Sequence, residues 1–226
     1  MGLVIATVLD ALVVFLLVLF VSRSALYQIM RTWAAFVIWW AKVICGIKYV
    51  VVGSENIPSS NAIILSNHQS TWETIAFVVL LPRPQSWVLK RELLNIPFYG
   101  WGLRLLQPIA IDRSARSTAR EQIITIGTQR LQQGRWILIY PQGTRVKPKT
   151  AVKFSRGGAL LAASSGYPVI PVAHNAGSCW PRRGFIKKPG TIRVVIGPAI
   201  NSIGLSAETI NHQAQQWVQA TLERIE

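Results

Sequence analysis

A histidine and a glutamate five positions apart, His68 and Glu73, are the first residues of this chain that could do chemistry. The apolar run Ala62–Leu65 before them predicts a strand, and the residues from Thr71 onward predict a helix. On a straight helix, residues five apart point about 140° away from each other, so the pair can meet only if His68 lies in the turn before the helix. The imidazole could then act as a general base that the carboxylate orients.

The same residues also fit a purely structural role. Ser70-Thr71-Trp72-Glu73 matches the capping box S/T-x-x-E, in which the glutamate closes the start of a helix. Spacing alone does not decide between a helix cap and a histidine–glutamate pair. The other two histidines, His174 and His212, are interpreted as structural or surface residues.

A second candidate site is Tyr140-Pro141-Gln142-Gly143-Thr144-Arg145, which follows the apolar run Trp136–Tyr140. Gly143 allows the backbone to approach a ligand closely. Thr144 offers a hydroxyl, and Arg145 offers a planar fork that suits phosphate or carboxylate. The pattern therefore predicts an anion-binding turn, with an ordinary solvated turn as the alternative.

Short β-type runs alternate with helical stretches over residues 48–226, which predicts one α/β domain with a mixed, mostly parallel sheet flanked by helices. The predicted strands are Lys48–Val52, Ala62–Ser66, Ser86–Leu89, Ile109–Ile111, Trp136–Tyr140, Val169–Ala173 and Thr191–Ile196. The predicted helices are Thr71–Leu80, Leu93–Leu106 with a break at Pro97, Ala115–Gln133, Arg156–Ser165 and Ala207–Arg224.

Residues 1–47 are predicted to form a membrane-embedded two-helix hairpin. Leu3–Val21 is almost wholly apolar and would be about 28 Å long as a helix, whereas Trp33–Gly46 would reach only about 20 Å. A connection over Ser22–Thr32 carries Arg23 and Arg31, whose side chains could reach lipid headgroups. A hairpin in one leaflet keeps these arginines and the basic domain on the same, cytoplasmic side of the inner membrane.

Other interpretations of this N-terminal segment remain open. One or two true membrane spans are possible, because a hydrocarbon core is about 30 Å thick. A signal peptide is disfavoured because no Lys or Arg precedes the first apolar run.

The charge balance predicts an anionic partner. The chain has 24 Lys and Arg against 9 Asp and Glu, which gives a net charge of +15, and it has nine Trp. A membrane surface suits both features. Arg113, Arg116 and Arg120 would share one helix face, and the cationic, aromatic loop Trp180–Lys188 could rest on anionic lipid, although both could also be ordinary solvated surface. No nucleic-acid-reading motif occurs, so nucleic acid is not expected as a partner.

The motifs together resemble the family of bacterial 1-acyl-sn-glycerol-3-phosphate acyltransferases. That family has a His-x4-Asp motif, a block with an Arg, a Glu-Gly-Thr-Arg block and a Pro-containing apolar block, in this order. The corresponding segments here are Asn67–Glu73, Lys90–Leu93 with Pro97–Gly100, Ile111–Arg113, Tyr140–Arg145 and Val169–Val172. The resemblance covers roughly residues 45 to 200.

This resemblance implies a fatty acyl thioester donor, acyl-CoA or acyl-carrier protein, and lysophosphatidic acid as the acceptor, in phospholipid biosynthesis. It implies His68 as the general base and Glu73 as the group that orients it. It also implies that the acceptor's phosphate is bound by Gln142, Gly143, Thr144 and Arg145, with Arg113 as a further candidate. A thioester is already activated, so no metal, no cofactor and no enzyme nucleophile are expected.

Two positions depart from the family pattern. Glu73 stands where Asp is usual, and Gln142 stands where Glu is usual. The second change removes a negative charge beside the expected phosphate site, so another lysolipid, such as a lyso-ornithine lipid or a lysophospholipid, is the alternative acceptor. A non-catalytic, membrane-tethered binder of anionic lipid or nucleic acid is the alternative from a different functional class.

Overall fold

The computed structural model describes residues 22–97, 99–112 and 114–226. The first predicted apolar helix, Leu3–Val21, and the candidate phosphate ligand Arg113 lie outside these residues. The strands are β1 (Ile47–Val52), β2 (Ile63–Ser66), β3 (Gln85–Lys90), β4 (Ile109–Ile111), β5 (Trp136–Ile139), β6 (Val169–His174) and β7 (Gly190–Ile196).

These strands form one seven-stranded sheet in the order β1-β7-β6-β2-β5-β3-β4. Every neighbouring pair is parallel except β6 and β7, which are antiparallel. The prediction of a mixed, mostly parallel sheet is therefore confirmed. Because β5, β2 and β6 are parallel neighbours, their carboxyl ends meet at one edge of the sheet, and the loops that follow them must lie side by side.

The helices are α1 (Arg23–Cys45), α2 (Trp72–Leu80), α3 (Tyr99–Leu105), α4 (Arg116–Gln132), α5 (Gly157–Ser165), α6 (Ala176–Cys179) and α7 (Ala207–Ile225). Two short 3-10 helices cover Ser54–Asn56 and Arg91–Asn95. The latter and α3 lie on either side of Pro97, which breaks the predicted helix because proline has no backbone N–H to donate.

The sheet is covered by helices on both faces. Ile64 and Leu138 point to the side of α1 and α2, whereas Ile63 and Ile137, one position earlier, point to the side of α4, α5 and α7. This alternation follows from the two-residue repeat of a strand. Since strands β2, β5 and β6 are buried on both faces, they consist almost wholly of apolar residues.

Helix α1 begins earlier than the sequence predicts. The expected connection Ser22–Thr32 is helical from Arg23, because the Ser22 side chain caps the helix by accepting from the Ala25 N–H at 3.2 Å. Leu26 is buried in this first turn. Arg31 donates to the Val79 carbonyl at the end of α2, at 3.3 Å.

The outer face of α1 is apolar as well as the inner one. Its exposed residues include Trp39, Val43 and Ile44, with exposed fractions of 53%, 57% and 61%. Within residues 22–97, 99–112 and 114–226, no helix has the length and apolar character needed to cross a membrane.

Candidate active site

His68 lies in the turn between β2 and α2, as its pairing with Glu73 required. Its Nδ1 is 2.8 Å from the Glu73 Oε1 atom. Glu73 sits in the first turn of α2 and is completely buried, whereas 15% of the His68 side chain is exposed. The structure therefore brings the predicted pair together, with the imidazole on the solvent side and the carboxylate beneath it.

The same Glu73 oxygen also closes the start of the helix. Oε1 accepts from the backbone N–H groups of Gln69 at 2.9 Å and Ser70 at 2.7 Å. The Ser70 hydroxyl in turn accepts from the Trp72 N–H at 3.0 Å. The helix-cap and histidine-pair interpretations are thus both right, because one carboxylate oxygen serves both roles.

This environment holds Glu73 in its charged form. Burial by itself would raise the pKa of Glu73, but His174, His68 and the Ser70 N–H outweigh burial and bring the pKa below its ordinary value. A charged carboxylate only accepts hydrogen bonds, so the Nδ1 atom of His68 carries a proton and donates it. In an imidazole that carries only this proton, the lone pair lies on Nε2.

The loop after β5 packs directly on this turn. The Tyr140 ring stacks on the His68 ring, with centroids 4.1 Å apart and an interplanar angle of 16°. Gln142 Oε1 accepts from the His68 N–H at 2.7 Å, and the His68 carbonyl accepts from the Val146 N–H at 2.8 Å. The imidazole is therefore fixed in orientation from both its ring face and its backbone.

The remaining residues of this loop follow beside the imidazole. Gly143 has a φ of 73°, a left-handed conformation that favours glycine, and its N–H donates to the Tyr140 carbonyl at 2.9 Å. Thr144 is exposed and Arg145 is half-buried. The Arg145 carbonyl accepts from Arg182 Nη1 at 2.9 Å, which ties the basic loop Trp180–Lys188 to this site.

A family model described as Acyltransferase matches residues 48–175, which contain His68, Glu73 and the loop Tyr140–Arg145. The chain belongs to the acyltransferase family. It is 48% identical, over 90% of its own length and 80% of the relative's, to a 1-acyl-sn-glycerol-3-phosphate acyltransferase of Pseudomonas aeruginosa. A Borreliella burgdorferi protein of the same name is 31% identical, over 72% of this chain and 66% of the relative.

The fold agrees with that assignment. The crystal structure of the 1-acyl-sn-glycerophosphate acyltransferase from Thermotoga maritima is similar with a TM-score of 0.74 and 24% identity, covering 89% of this chain and 80% of that one. The chain is thus an O-acyltransferase of the type for which its curated relatives are named. Its class is that of enzymes of lipid and phospholipid biosynthesis.

His174 of this acyltransferase is completely buried beside the pair. Its Nε2 donates to the Asn67 carbonyl at 2.9 Å and lies 3.9 Å from Glu73 Oε1, while its Nδ1 accepts from the Ala176 N–H at 3.3 Å. Burial lowers the pKa of His174, although Glu73 opposes this effect. Through these hydrogen bonds His174 stabilises the backbone of the turn that carries His68, whereas His212 is exposed on α7.

Gln69 connects the turn to two other parts of the enzyme. Its side-chain oxygen accepts from the Gly177 N–H at 3.1 Å, and its side-chain nitrogen donates to the Glu226 carboxylate. Gln69 and Gln142 also line a cavity of about 430 Å³, which Lys149 and Leu222 help to enclose. The end of α7 is therefore part of the support of the His68 turn.

Motif spacing identified His68, Glu73 and the loop at Tyr140–Arg145, but it missed several supporting contacts. Tyr140 was assigned no role, although its place at the carboxyl end of a strand next to β2 is a usable signal. The sequence predicts Gln142 as a phosphate ligand but gives no sign that its side-chain oxygen accepts from the His68 N–H. His174 was interpreted as structural, with no indication that it would lie next to Glu73.

Removing the Tyr140 hydroxyl tests the stacking contact. This hydroxyl is buried without a hydrogen-bond partner among the described residues, and burial raises the Tyr140 pKa well above its ordinary value, with Glu73 adding to the effect. We expect Tyr140→Phe to leave the free energy of unfolding unchanged or to raise it by up to about 1 kcal/mol, because an unpaired buried polar group is lost. Turnover should stay within about threefold, since the ring stack is kept.

The matched variant is Tyr140→Leu, which keeps an apolar side chain but removes the ring. It should lower both stability and turnover. Urea unfolding measures the stability of both variants, and acyl-transfer rates in the same detergent measure their turnover. A loss of more than about 1 kcal/mol in Tyr140→Phe would contradict the expectation and assign the hydroxyl a partner.

Proposed function

We propose that this enzyme transfers a fatty acyl group from an acyl thioester, acyl-CoA or acyl-carrier protein, to the free hydroxyl of 1-acyl-glycerol-3-phosphate, and so makes phosphatidic acid. The observation that carries the proposal is the 2.8 Å contact between His68 Nδ1 and Glu73 Oε1. It leaves Nε2, which has no acceptor or donor among the described residues, available beside the Tyr140–Arg145 loop. The relatives' names state the same acceptor for those proteins.

In the proposed reaction, His68 Nε2 takes the proton from the glycerol hydroxyl as that oxygen attacks the thioester carbonyl carbon. A new C–O bond forms, and the imidazolium is stabilised by the buried Glu73 carboxylate. When the tetrahedral intermediate collapses, the C–S bond breaks and the thiolate leaves with the proton from His68. The thioester supplies the activated acyl group, so this route uses no metal, no cofactor and no covalent acyl-enzyme.

Phosphate binding is proposed for the loop next to the imidazole. Gly143, Thr144 and Arg145 offer a glycine backbone, a hydroxyl and a guanidinium within a few residues of the stacked Tyr140. Gln142 would act through its bond to the His68 N–H, and Arg113 would add a second guanidinium. Binding a remote phosphate positions the hydroxyl for attack and thereby lowers the barrier.

We further propose that residues 1–47 hold the enzyme in the cytoplasmic leaflet of the inner membrane. The exposed apolar face of α1 supports this, because a soluble surface rarely carries so many large apolar side chains together. Phe185 and Ile186, which are 93% and 77% exposed, belong to the loop that Arg182 ties to the Arg145 carbonyl. The acyl acceptor could therefore enter the site from the bilayer.

Acyl transfer from labelled acyl-CoA or acyl-carrier protein, measured in detergent with a panel of lysolipids, tests the proposal. We expect lysophosphatidic acid to be the preferred acceptor. Arg145→Gln should raise its KM by about tenfold or more, because a charge-assisted contact to phosphate is lost, while kcat changes less.

Lys147→Gln, which removes an exposed charge two residues further along the loop, is the matched control and should leave KM within about twofold. A preference for lyso-ornithine lipid or for a neutral lysophospholipid would replace the proposed acceptor. Absence of acyl transfer to every acceptor with both donors would overturn the proposed reaction.

A further inference from the structure

A second basic cluster lies at the opposite edge of the sheet from His68. Arg135 directly precedes β5, Arg130 is in the last turn of α4, and Arg23 is the first residue of α1. They line a cleft of about 350 Å³ together with Gln107, Gln133 and Gly134. Along β5, Arg135 and Tyr140 are five residues apart, or about 16 Å at roughly 3.3 Å per residue. This arginine cleft is therefore separate from the site described above.

The two inner guanidinium groups are held in place by neutral acceptors. Arg135 donates from Nε to the Ser86 hydroxyl at 2.8 Å, and from Nη2 to the carbonyls of Gln85 at 2.7 Å and Leu106 at 3.0 Å. Arg130 donates from Nε to the Gln107 carbonyl at 3.3 Å and from Nη1 to Gln133 Oε1 at 2.9 Å. Their side chains are thus ordered before any ligand arrives.

Donor capacity remains in the cleft. Nη1 of Arg135 and Nη2 of Arg130 have no acceptor among residues 22–97, 99–112 and 114–226. Arg23 is exposed, and its guanidinium makes no hydrogen bond or ion pair to the residues in these ranges. Several N–H groups from different segments can therefore point to one ligand.

The cluster also lacks a compensating negative charge. The ion pairs among the described residues are Lys90–Glu92, Arg156–Glu208, His68–Glu73 and His174–Glu73. None of them includes a residue that lines the cleft. Burial lowers the pKa values of Arg130 and Arg135, Tyr27 opposes this effect in Arg135, and the positive charge of Arg23 adds to the lowering in both. Holding three cations together in a half-buried cleft costs free energy that a bound anion would recover.

We propose that the arginine cleft is a second anion site, which binds a phosphate group independently of the acyl-acceptor site. One guanidinium group can donate two N–H bonds to two oxygens of the same phosphate. The cleft contains guanidinium groups from three segments of the chain. A free phosphate ester and the headgroup of an anionic lipid share this chemistry. The lipid source is favoured by the position of Arg23, which follows the apolar stretch Leu3–Val21 in the sequence.

Binding measurements on the full-length enzyme test the proposal without using turnover. The variants are Arg130→Gln and Arg23→Gln, and the matched control is Arg193→Gln, an exposed arginine on β7 that does not line the cleft. Arg135 is left intact because it bonds the backbone of β3. Each protein is also made with Arg145→Gln, which removes the guanidinium that is proposed to bind the phosphate of the acyl acceptor.

The first arm measures the melting temperature in inorganic phosphate against chloride at equal ionic strength. The second arm measures binding to phosphatidylcholine vesicles with and without phosphatidic acid. In at least one arm the wild type and Arg193→Gln should respond to the phosphate-bearing probe, whereas Arg130→Gln and Arg23→Gln should bind it about tenfold more weakly. The response should persist in Arg145→Gln.

The two arms separate the sources of the phosphate. Protection by inorganic phosphate that depends on Arg130 and Arg23 identifies a soluble phosphate ligand, and dependence seen only on anionic vesicles identifies a lipid headgroup. If Arg130→Gln does not fold, Arg23→Gln still decides, because Arg23 bonds no described residue. If wild type, Arg130→Gln and Arg23→Gln bind the probes equally in both arms, the proposal is overturned. This outcome does not depend on which acyl acceptor the enzyme uses.

Discussion

Replacing His68 by alanine is expected to lower kcat by at least about 100-fold and up to about 10,000-fold, the range that general-base assistance typically supplies. The physical reason is that Nε2 is the only proton acceptor of the pair that the solvent side can reach, since Glu73 is completely buried beneath it. The KM for the acyl acceptor should change little, because the loop at Gly143–Arg145 is retained. Initial acyl-transfer rates over a range of lysophosphatidic acid concentrations measure both quantities.

His212→Ala is the matched control, since it removes an exposed histidine from α7 without touching the site. It should leave kcat and the unfolding midpoint unchanged. A loss of less than about tenfold in His68→Ala, with the protein folded, would show that another group takes the proton.

Replacing Glu73 by glutamine should have the second largest effect, a fall of about 100- to 10,000-fold in kcat. The amide oxygen can still accept from the Gln69 and Ser70 N–H groups and so keep the helix cap. It cannot stabilise the imidazolium that forms on His68. Its NH2 group would replace Oε2, which is buried without a partner among the described residues, so stability should also fall by about 1–3 kcal/mol.

The stability effect of Glu73 should depend on pH in a definite direction. In the folded enzyme its pKa lies below the unfolded value, which is about 4.3 for glutamate. The unfolded chain therefore binds more protons between these two values, and stability rises with pH in that window. The contribution of Glu73 is complete above the unfolded pKa and is lost as the pH falls through the folded pKa. The difference in the free energy of unfolding between wild type and Glu73→Gln should accordingly become smaller as the pH falls below the unfolded pKa of glutamate.

Two further variants make this test specific. Glu73→Asp keeps the charge but shortens the side chain by one methylene, so it should regain part of the lost kcat. Glu208→Gln removes a surface carboxylate whose pair with Arg156 is 3.3 Å long, and it should change neither kcat nor the acid stability. Equal kcat for Glu73→Gln and wild type would reduce Glu73 to a helix cap.

Local patterns in the sequence were sufficient for the fold class, and they located the candidate pair while leaving a helix cap as an equal interpretation of Glu73. Strand and helix periodicity depend on which residues are apolar, and buried parallel strands such as β2 and β5 are continuous apolar runs. The condition that His68 must precede the helix follows from helical geometry alone, and the structure confirms it. The sequence predicted the ends of helices less accurately. Helix α1 starts at Arg23, before the apolar stretch from Trp33, because Ser22 caps it and one face of its first turns is buried.

What only the tertiary structure decided is which distant groups meet. The stacking of Tyr140 on His68, the bond from the His68 N–H to Gln142 and the approach of His174 to Glu73 join residues that lie about 70 to 100 positions apart. The arginine cleft likewise gathers Arg23, Arg130 and Arg135 from α1, α4 and the start of β5. Neither spacing nor composition predicts such contacts, because they depend on strand order and register. His68 and Glu73 are joined by a single turn, so their contact could be proposed from spacing, but only the structure shows that one oxygen of Glu73 both pairs with His68 and caps the helix.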